Sequence, residues 1–260
     1  MTCYNRRFLA RAGAIIAAGT LAILSSTTPA NGAQIVPKPQ ADGATVVLSG
    51  GFLPPGYTRT SLPTLHVISG KVYLPAAITM IYPGPAVSPV EVRTPRASSL
   101  RSALLALYAA AKTPRGGWGE IRLPDAGTTE VSVSVDGRTR KVSVHALGVG
   151  DQGGTITLSQ RQSRERLIKA IMRLESVRGT SRMYTPRQLE AWPATTVIDD
   201  PSFTATFPWP GSSAPTGCTV IAAVDLPSGV NQASMFSFGS ERFAVQFRPV
   251  LPGEVACVRR

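Results

Sequence analysis

The feature that most constrains the fold is an alternating strand pattern that ends at a two-residue turn. Residues 131–135 have the sequence Val-Ser-Val-Ser-Val and lead to an Asp-Gly pair at 136–137. Asp-Gly is a preferred pair for a type I′ turn, which joins two antiparallel strands tightly. The return strand is therefore expected over 138–147, with Val131 opposite Val142. Such a hairpin requires an antiparallel sheet.

A similar hairpin is predicted earlier in the chain, over 65–74. Apolar residues alternate there around a Ser-Gly turn at 69–70. A two-residue turn sets the pairing register. In this register alternate apolar side chains share one face, and His66 lies beside Tyr73 on the other face.

Each hairpin is followed by a segment with helical periodicity. The first helix is predicted to run from a cap at Ser98 or Ser99 to about residue 112. The second is predicted over 160–178, with Gly179 as its C-cap. The apolar stripes consist of Leu100, Ala103, Leu104, Leu107, Tyr108 and Ala111 in the first helix and Leu167, Ala170, Ile171, Leu174 and Val177 in the second. Each stripe indicates one face packed on a sheet.

The order of elements predicts a two-layer α+β fold, in which two helices pack on one face of antiparallel sheet hairpins. Two more strands are expected over 219–224 and 242–248, with 235–238 as the entry to the last one. The order is therefore ββα-ββα-β-β. No GxGxxG motif follows a predicted strand, which disfavours a dinucleotide-binding fold, and no cofactor is expected.

The domain organisation follows from the same pattern. A single α+β domain is predicted over 45–260, preceded by a flexible lead-in rich in Pro and polar residues over 34–44. The alternative division has two ββα halves, 45–115 and 120–180, followed by the C-terminal strands.

The N-terminus has the organisation of a signal peptide. Three arginines precede a short apolar stretch and then small polar residues over 25–33. This pattern predicts a signal over 1–33 that is cleaved near Ala33, so the protein is expected to be secreted or extracytoplasmic. The Arg6-Arg7 pair leaves twin-arginine export open beside Sec export, and a retained membrane anchor is the alternative to cleavage.

Cleavage of this signal would leave two of the three cysteines, Cys218 and Cys257. An even pair in an exported chain predicts a disulfide. The remaining histidines are His66 and His145. Two histidines and two paired cysteines do not suit a structural zinc site, and no metal is expected.

Several short motifs carry a resemblance to a known group. These segments are Gly50–Pro54, Ile81–Ala86, Asp136–Thr139, Val142–Gly148 and Phe247–Glu254 leading to Cys257. They resemble an uncharacterised family of exported proteins from high-GC Gram-positive bacteria, which has no assigned activity. Val250 and Gly253 depart from the usual tail of that family, and an aromatic residue is common at the place of His145. The resemblance implies export and a Cys218–Cys257 bridge, and it supplies no chemistry.

Catalytic candidates are few. A secreted hydrolase would need His145 as a base, with Asp199 or Asp200 to orient it or to act as a carboxylate pair. The chain has no GxSxG or SxxK motif. His145 lies on the polar side of a predicted strand, and the two aspartates precede a proline in a predicted turn. We therefore keep hydrolysis as the alternative and assign no catalytic residue.

Two aromatic-proline clusters, Trp192-Pro193 and Phe207–Pro210, are candidates for stacking on a sugar or an extended peptide. The interpretation that we favour is structural, with these aromatic side chains pinning a loop to the core.

Positive charge is concentrated in one part of the chain. The whole sequence has a net charge of +12, and residues 138–187 contain eleven basic and three acidic residues. Helical spacing places the anion-binding candidates Arg166, Lys169 and Arg173 on one exposed face, and Arg161 and Lys141 are expected to extend it. The expected partners are anionic cell-wall polymers or lipid headgroups. No aromatic residues interleave with these charges, so sequence-specific nucleic-acid binding is not expected. The sequence thus predicts a non-enzymatic binding module of the cell envelope.

Overall fold

The computed structural model describes residues 42–49, 61–78, 82–123, 125–148, 156–194 and 205–258. All of them belong to one compact unit, Lys38–Arg260, whereas the other unit, Met1–Pro37, lies outside the described residues. The predicted signal peptide, most of the lead-in and the pair Asp199-Asp200 also lie outside them. No described helix combines the length and the apolar character needed to cross a membrane.

The described chain forms two helices and two sheets, which confirms the α+β class. The helices are α1 (Ala97–Ala110) and α2 (Leu158–Glu175), with a short 3₁₀ turn at Ala223–Asp225. The strands are β1 (Gly43–Ser49), β2 (Leu65–Ile68), β3 (Lys71–Pro75), β4 (Val90–Pro95), β5 (Thr128–Val135), β6 (Arg138–His145), β7 (Gly179–Met183), β8 (Gln188–Pro193), β9 (Thr206–Pro208), β10 (Thr219–Ala222), β11 (Met235–Phe238) and β12 (Glu241–Pro249).

The larger sheet is antiparallel and has the strand order β6-β5-β1-β2-β3-β4-β7. It contains both predicted hairpins in their predicted registers, because His66 lies opposite Tyr73 and Val131 lies opposite Val142. Asp136 and Gly137 adopt φ values of 52° and 72°. A type I′ turn requires positive φ at both central positions, which explains why this Asp-Gly pair joins β5 to β6.

The main core lies between this sheet and the two helices. Alternate apolar residues of the five strands β1, β2, β3, β5 and β6 face the helices, and the predicted stripes of both helices cover them. Leu107, Leu167 and Leu174 have 0% exposure. Burial of a leucine side chain stabilises a fold by about 1.5–3 kcal/mol, so these stripes hold α1 and α2 against the sheet.

The helix ends differ from the sequence predictions. α1 begins at Ala97 after Arg96, with no side-chain cap from either predicted serine. α2 begins earlier than expected because Thr157 and Gln160 form a capping box. Gly179 is not a C-cap, since it begins β7. A Cβ atom at this position would collide with the backbone carbonyl of Thr94, so glycine permits the close pairing of β4 with β7.

The smaller sheet has the order β10-β8-β12-β11-β9. Residues 235–238 form a separate strand, paired with β12 through a hairpin, and are not the entry to the last strand as predicted. The core of this sheet is aromatic. The indole of Trp209 is 5% exposed and meets the ring of Phe236 edge-on, with the ring centroids 5.5 Å apart. Phe207 and Trp209 of the Phe207–Pro210 cluster therefore pack into this core, whereas Pro208 is exposed.

A group of buried charges joins the C-terminal loop to the smaller sheet. Arg248 on β12 is 1% exposed, and its guanidinium lies 2.8 Å from a carboxylate oxygen of Glu254 and 3.5 Å from one of Glu190. Glu254 also accepts a hydrogen bond from the backbone N–H of Leu251, and Glu190 accepts one from that of Cys257. The disulfide between Cys218 and Cys257 closes the same loop. The C-terminal motif therefore has a structural role.

A second ion pair ties β4 to the end of α2. The Arg93 guanidinium donates to both carboxylate oxygens of Glu91, at 2.8 and 2.9 Å, and to the backbone carbonyl of Glu175 at 2.7 Å. The Ser181 hydroxyl on β7 also donates to Glu91. These hydrogen bonds, first from Arg93 and then from Ser181, lower the pKa of Glu91 to about 2. A cation at a helix C-terminus complements its unpaired carbonyls.

The lowered pKa of Glu91 predicts a dependence of stability on pH. A carboxyl group with a depressed folded-state pKa stabilises the fold at pH values above its unfolded-state pKa, here 4.5, and this contribution is lost as the pH falls towards about 2. The difference in unfolding free energy between wild type and Glu91→Gln should therefore be constant near neutral pH and shrink across this range. Urea denaturation at several pH values measures it.

Glu120→Gln is the matched control for this experiment. Its carboxylate pairs with Arg122, but both side chains are more than 75% exposed. Exposed ion pairs contribute little, so this variant should follow the wild type at every pH. A Glu91→Gln difference that did not change with pH would contradict the prediction.

Candidate anion-binding groove

Helices α1 and α2 lie side by side in opposite directions on the face of the larger sheet that they cover. The side-chain amide of Gln160, near the start of α2, donates to the Gly116 carbonyl beyond the end of α1, at 3.0 Å. In the second half of α2, the guanidinium of Arg173 donates to the Ser102 hydroxyl of α1, also at 3.0 Å. The second half of each helix therefore lies beside the first half of the other.

Small side chains leave a groove between the two helices. The small residues that line this groove are Ala106, Ala109, Ala110, Ser159, Ser163 and Ala170. Because alanine and serine project little from a helix, the facing surfaces do not fill the space between them. The resulting open groove, here called the interhelical groove, has a volume of about 860 Å³.

The long side chains that line the interhelical groove are cationic. They are Lys112, Arg115, Arg166, Lys169 and Arg173. All five residues are exposed, and none of them forms an ion pair with a carboxylate among the described residues. Two are oriented by neutral partners: Arg166 donates to the Ser163 hydroxyl at 3.0 Å, and Arg173 donates to Ser102. The groove therefore presents positive charge that is not paired directly with any described carboxylate.

A second groove lies at the opposite end of the helix pair, with a volume of about 830 Å³. It contains the cations Arg96, Arg173 and Arg178, and Arg173 also lines the interhelical groove. The remaining lining residues are Thr94, Ser98, Ser99, Ser102, Val177, Gly179 and Thr180. Hydroxyl groups therefore surround these cations, and no carboxylate is among the lining residues.

The structure brings together three of the five predicted anion-binding candidates. Arg166, Lys169 and Arg173 share the interhelical groove. Lys141 does not extend it, because this lysine alternates along β6 with Val142 and Val144, which face the helices, and so lies on the other side of the sheet.

Arg161 is exposed on α2 but lines neither groove. Instead, Lys112, Arg115, Arg96 and Arg178 complete the cationic surface. Sequence reasoning counted Arg178 only as part of the basic segment and missed the other three. These three residues lie just beyond the two ends of α1, next to the small residues on one side of that helix, and this position could have indicated them.

Another arginine of the basic segment has a structural role. Arg164 is 4% exposed and turns inward from α2. Its guanidinium donates to the backbone carbonyls of Trp118, His145 and Ala146 at 3.2, 2.6 and 2.7 Å. These bonds hold the loop after α1 and the end of β6 against α2, so the side chain of Arg164 lines neither groove.

The contacts of His145 do not form a catalytic arrangement. Its ring nitrogens lie 3.4 Å from the Thr128 hydroxyl and 3.1 Å from the Leu123 carbonyl. Within the described residues, no serine hydroxyl or carboxylate forms a hydrogen bond with this ring. The other hydrolase candidates, Asp199 and Asp200, lie outside the described residues.

His66 is buried between strands and hydrogen-bonds to the Thr45 hydroxyl and the Pro252 carbonyl. In the part of the chain that the structure describes, no three His, Cys, Asp or Glu side chains come together in a way that could hold a metal ion.

Comparison with known proteins adds no assignment to this geometry. No protein family, no curated protein and no solved structure shows a match to this chain. The candidate site therefore rests on its own geometry and charge.

Proposed function

We propose that this protein is an exported, non-enzymatic binding module of the cell envelope that holds an anionic polymer in the interhelical groove. The observation that carries the proposal is the convergence on one groove of five cations, three from α2 and two from the segment just after α1, without a carboxylate in its lining. Positive charges that line a concave site focus the electrostatic potential and raise the local concentration of anions.

Two further features favour a polymer over a membrane surface. A strand of polymer fits an open groove between helices, whereas a bilayer presents a broad surface. Proteins that lie in a membrane interface insert large apolar side chains beside their cations. Among the described residues, the lining of the two grooves contains no exposed large apolar side chain; the exposed Leu105, Leu158 and Met172 lie on the same helices outside both linings.

Extracytoplasmic placement is part of the same proposal. The N-terminal pattern of arginines, a short apolar stretch and small residues supports export. The Cys218–Cys257 disulfide agrees with it, since disulfides persist in oxidising compartments. A cell-wall polymer rich in phosphate, such as a teichoic acid, is the kind of partner that an exported groove of this charge would meet.

A charge reversal in the groove tests this function. The triple variant Arg166→Glu, Lys169→Glu, Arg173→Glu should bind immobilised wall teichoic acid about tenfold or more weakly than wild type, because it replaces attraction by repulsion at three adjacent positions. Wild-type binding should also fall steeply with salt, since the Debye length decreases from about 10 Å at 0.1 M to about 3 Å at 1 M. Retention measured at several salt concentrations gives both quantities.

The matched control is Arg138→Glu, Lys141→Glu, Arg187→Glu. It changes the net charge by the same amount at exposed positions outside both grooves. This variant should retain most of the binding. Equal losses in the two variants would show that net charge alone attracts the polymer, and equal retention by wild type and the groove variant would refute the proposal. Stronger retention on anionic liposomes than on the polymer would favour a membrane surface.

A further inference from the structure

The two grooves form one continuous cationic surface along the helix pair. Arg173 lines both of them and is held at their junction by its hydrogen bond to Ser102. The interhelical groove lies beside the second half of α1, and the second groove lies beside its first half. An anionic chain that leaves one groove therefore enters the other without crossing a described carboxylate of either lining.

The length of this surface exceeds that of a small anion. Its cations extend along α1 from Arg96 at one end to Lys112 and Arg115 at the other. An α-helix rises about 1.5 Å per residue, so the surface is about 25 Å long. A single phosphate or sulfate would occupy only a small part of it. Simultaneous use of both grooves requires a ligand with many charges along an extended chain.

The side chains also indicate the chemistry of the ligand. The seven cations are Arg96, Lys112, Arg115, Arg166, Lys169, Arg173 and Arg178. Five of them are arginines, whose planar guanidinium groups bind phosphate oxygens in a bidentate manner. Neither groove has an aromatic side chain in its lining. Proteins that bind single-stranded nucleic acid use such side chains to stack on the bases, so a phosphate polymer without bases fits better.

We infer that the ligand is a linear phosphate polymer without bases, and that it spans both grooves at once. This inference rests on the proposed function and adds the length and the chemistry of the ligand. When one chain occupies two linked sites, the second contact is intramolecular and the affinity exceeds that of either site alone. Affinity should therefore increase with chain length until the polymer reaches both ends of the surface.

Inorganic polyphosphates of graded length test the inference with the full-length mature protein. We expect a polyphosphate long enough to span the surface to bind wild type about tenfold or more tightly, per chain, than tripolyphosphate, which fits within one groove. In the double variant Arg96→Gln, Arg178→Gln the long polyphosphate should bind less than about threefold more tightly than tripolyphosphate, because the second groove loses two of its three cations. Isothermal titration calorimetry at fixed salt measures each affinity.

The charge-preserving variant Arg96→Lys, Arg178→Lys separates charge from folding. Wild type and both variants should unfold at the same denaturant concentration, and the lysine variant should recover most of the length-dependent gain. An equal gain in wild type and the glutamine variant would refute the continuous surface while leaving the proposed function intact. Failure of wild type to bind any polyphosphate would contradict the inferred ligand, whereas the proposed function is decided separately by retention on teichoic acid. Tighter binding of single-stranded DNA of matched length and charge would contradict the inferred ligand class.

Discussion

Replacing Arg248 by methionine should destabilise the protein by about 3–5 kcal/mol, because it would remove the buried guanidinium that pairs with the carboxylates of Glu190 and Glu254. Side-chain exposure is 1% for Arg248, 5% for Glu190 and 6% for Glu254, so water does not replace the lost partner. Methionine has a similar length and leaves no large cavity. Chemical denaturation monitored by tryptophan fluorescence measures the difference.

A second variant distinguishes an uncompensated charge from lost packing. The triple variant Arg248→Met, Glu190→Gln, Glu254→Gln removes every charge of this cluster. Its amide oxygens still accept hydrogen bonds from the N–H groups of Cys257 and Leu251. Removing all the charges of a buried cluster is far less costly than removing one partner, so this triple variant should recover more than half of the loss.

Arg242→Met provides the control on the same strand. Arg242 is exposed, and its guanidinium donates a 2.9 Å hydrogen bond to the Thr206 hydroxyl. Substitution of such a surface residue should change the unfolding free energy by less than about 0.5 kcal/mol. A loss of less than about 1 kcal/mol for Arg248→Met would show that the buried cluster does not contribute as inferred.

Local patterns were sufficient to predict the hairpins and the apolar faces of the helices. The Asp136-Gly137 turn and the alternating valines fix the β5–β6 register within a short segment. The leucines of α1 and α2 recur at helical spacing, which identifies their buried faces. Signals of this kind depend on neighbouring residues, so they can be recognised in the sequence.

The sequence did not predict strands that form mainly by pairing with strands distant along the chain. Every residue of β7 is exposed, so the strand has no alternating pattern, and it exists through pairing with β4. β9 is only three residues long and pairs in parallel with β11. Strands at sheet edges are stabilised by backbone pairing more than by side-chain burial, and their own sequence therefore carries little signal.

The candidate site was only partly predictable for the same reason. Helical spacing on α2 was enough to group Arg166, Lys169 and Arg173. Lys112 and Arg115 follow a different helix about fifty residues earlier, and they join the group because the two helices pack in opposite directions. Conversely, Lys141 is near in sequence to the basic helix but lies across the sheet from it. Charge density along the chain does not reveal on which face each charge lies.

Removal of the Cys218–Cys257 disulfide is the other change with a large expected effect. The bond joins residues separated by 39 positions, with Cα atoms 5.5 Å apart. Restricting an unfolded loop of this length stabilises the folded state by about 4 kcal/mol in the chain-entropy estimate. The double variant Cys218→Ser, Cys257→Ser should therefore unfold at a much lower urea concentration than the oxidised wild type. The mature wild type, which lacks Cys3 once the signal is cleaved, should also react with essentially no thiol reagent when it is denatured without reductant.

The disulfide and the buried charges should also depend on each other, because both hold the C-terminal loop. Cys257 forms the disulfide with Cys218, and its backbone N–H donates a 2.9 Å hydrogen bond to the Glu190 carboxylate. If the loop detaches without the disulfide, Glu190 and Arg248 become accessible to water, and the cost of Arg248→Met falls. In a double-mutant cycle the combined loss should thus be smaller than the sum of the separate losses. Additive losses would show that the loop remains in place without the bond.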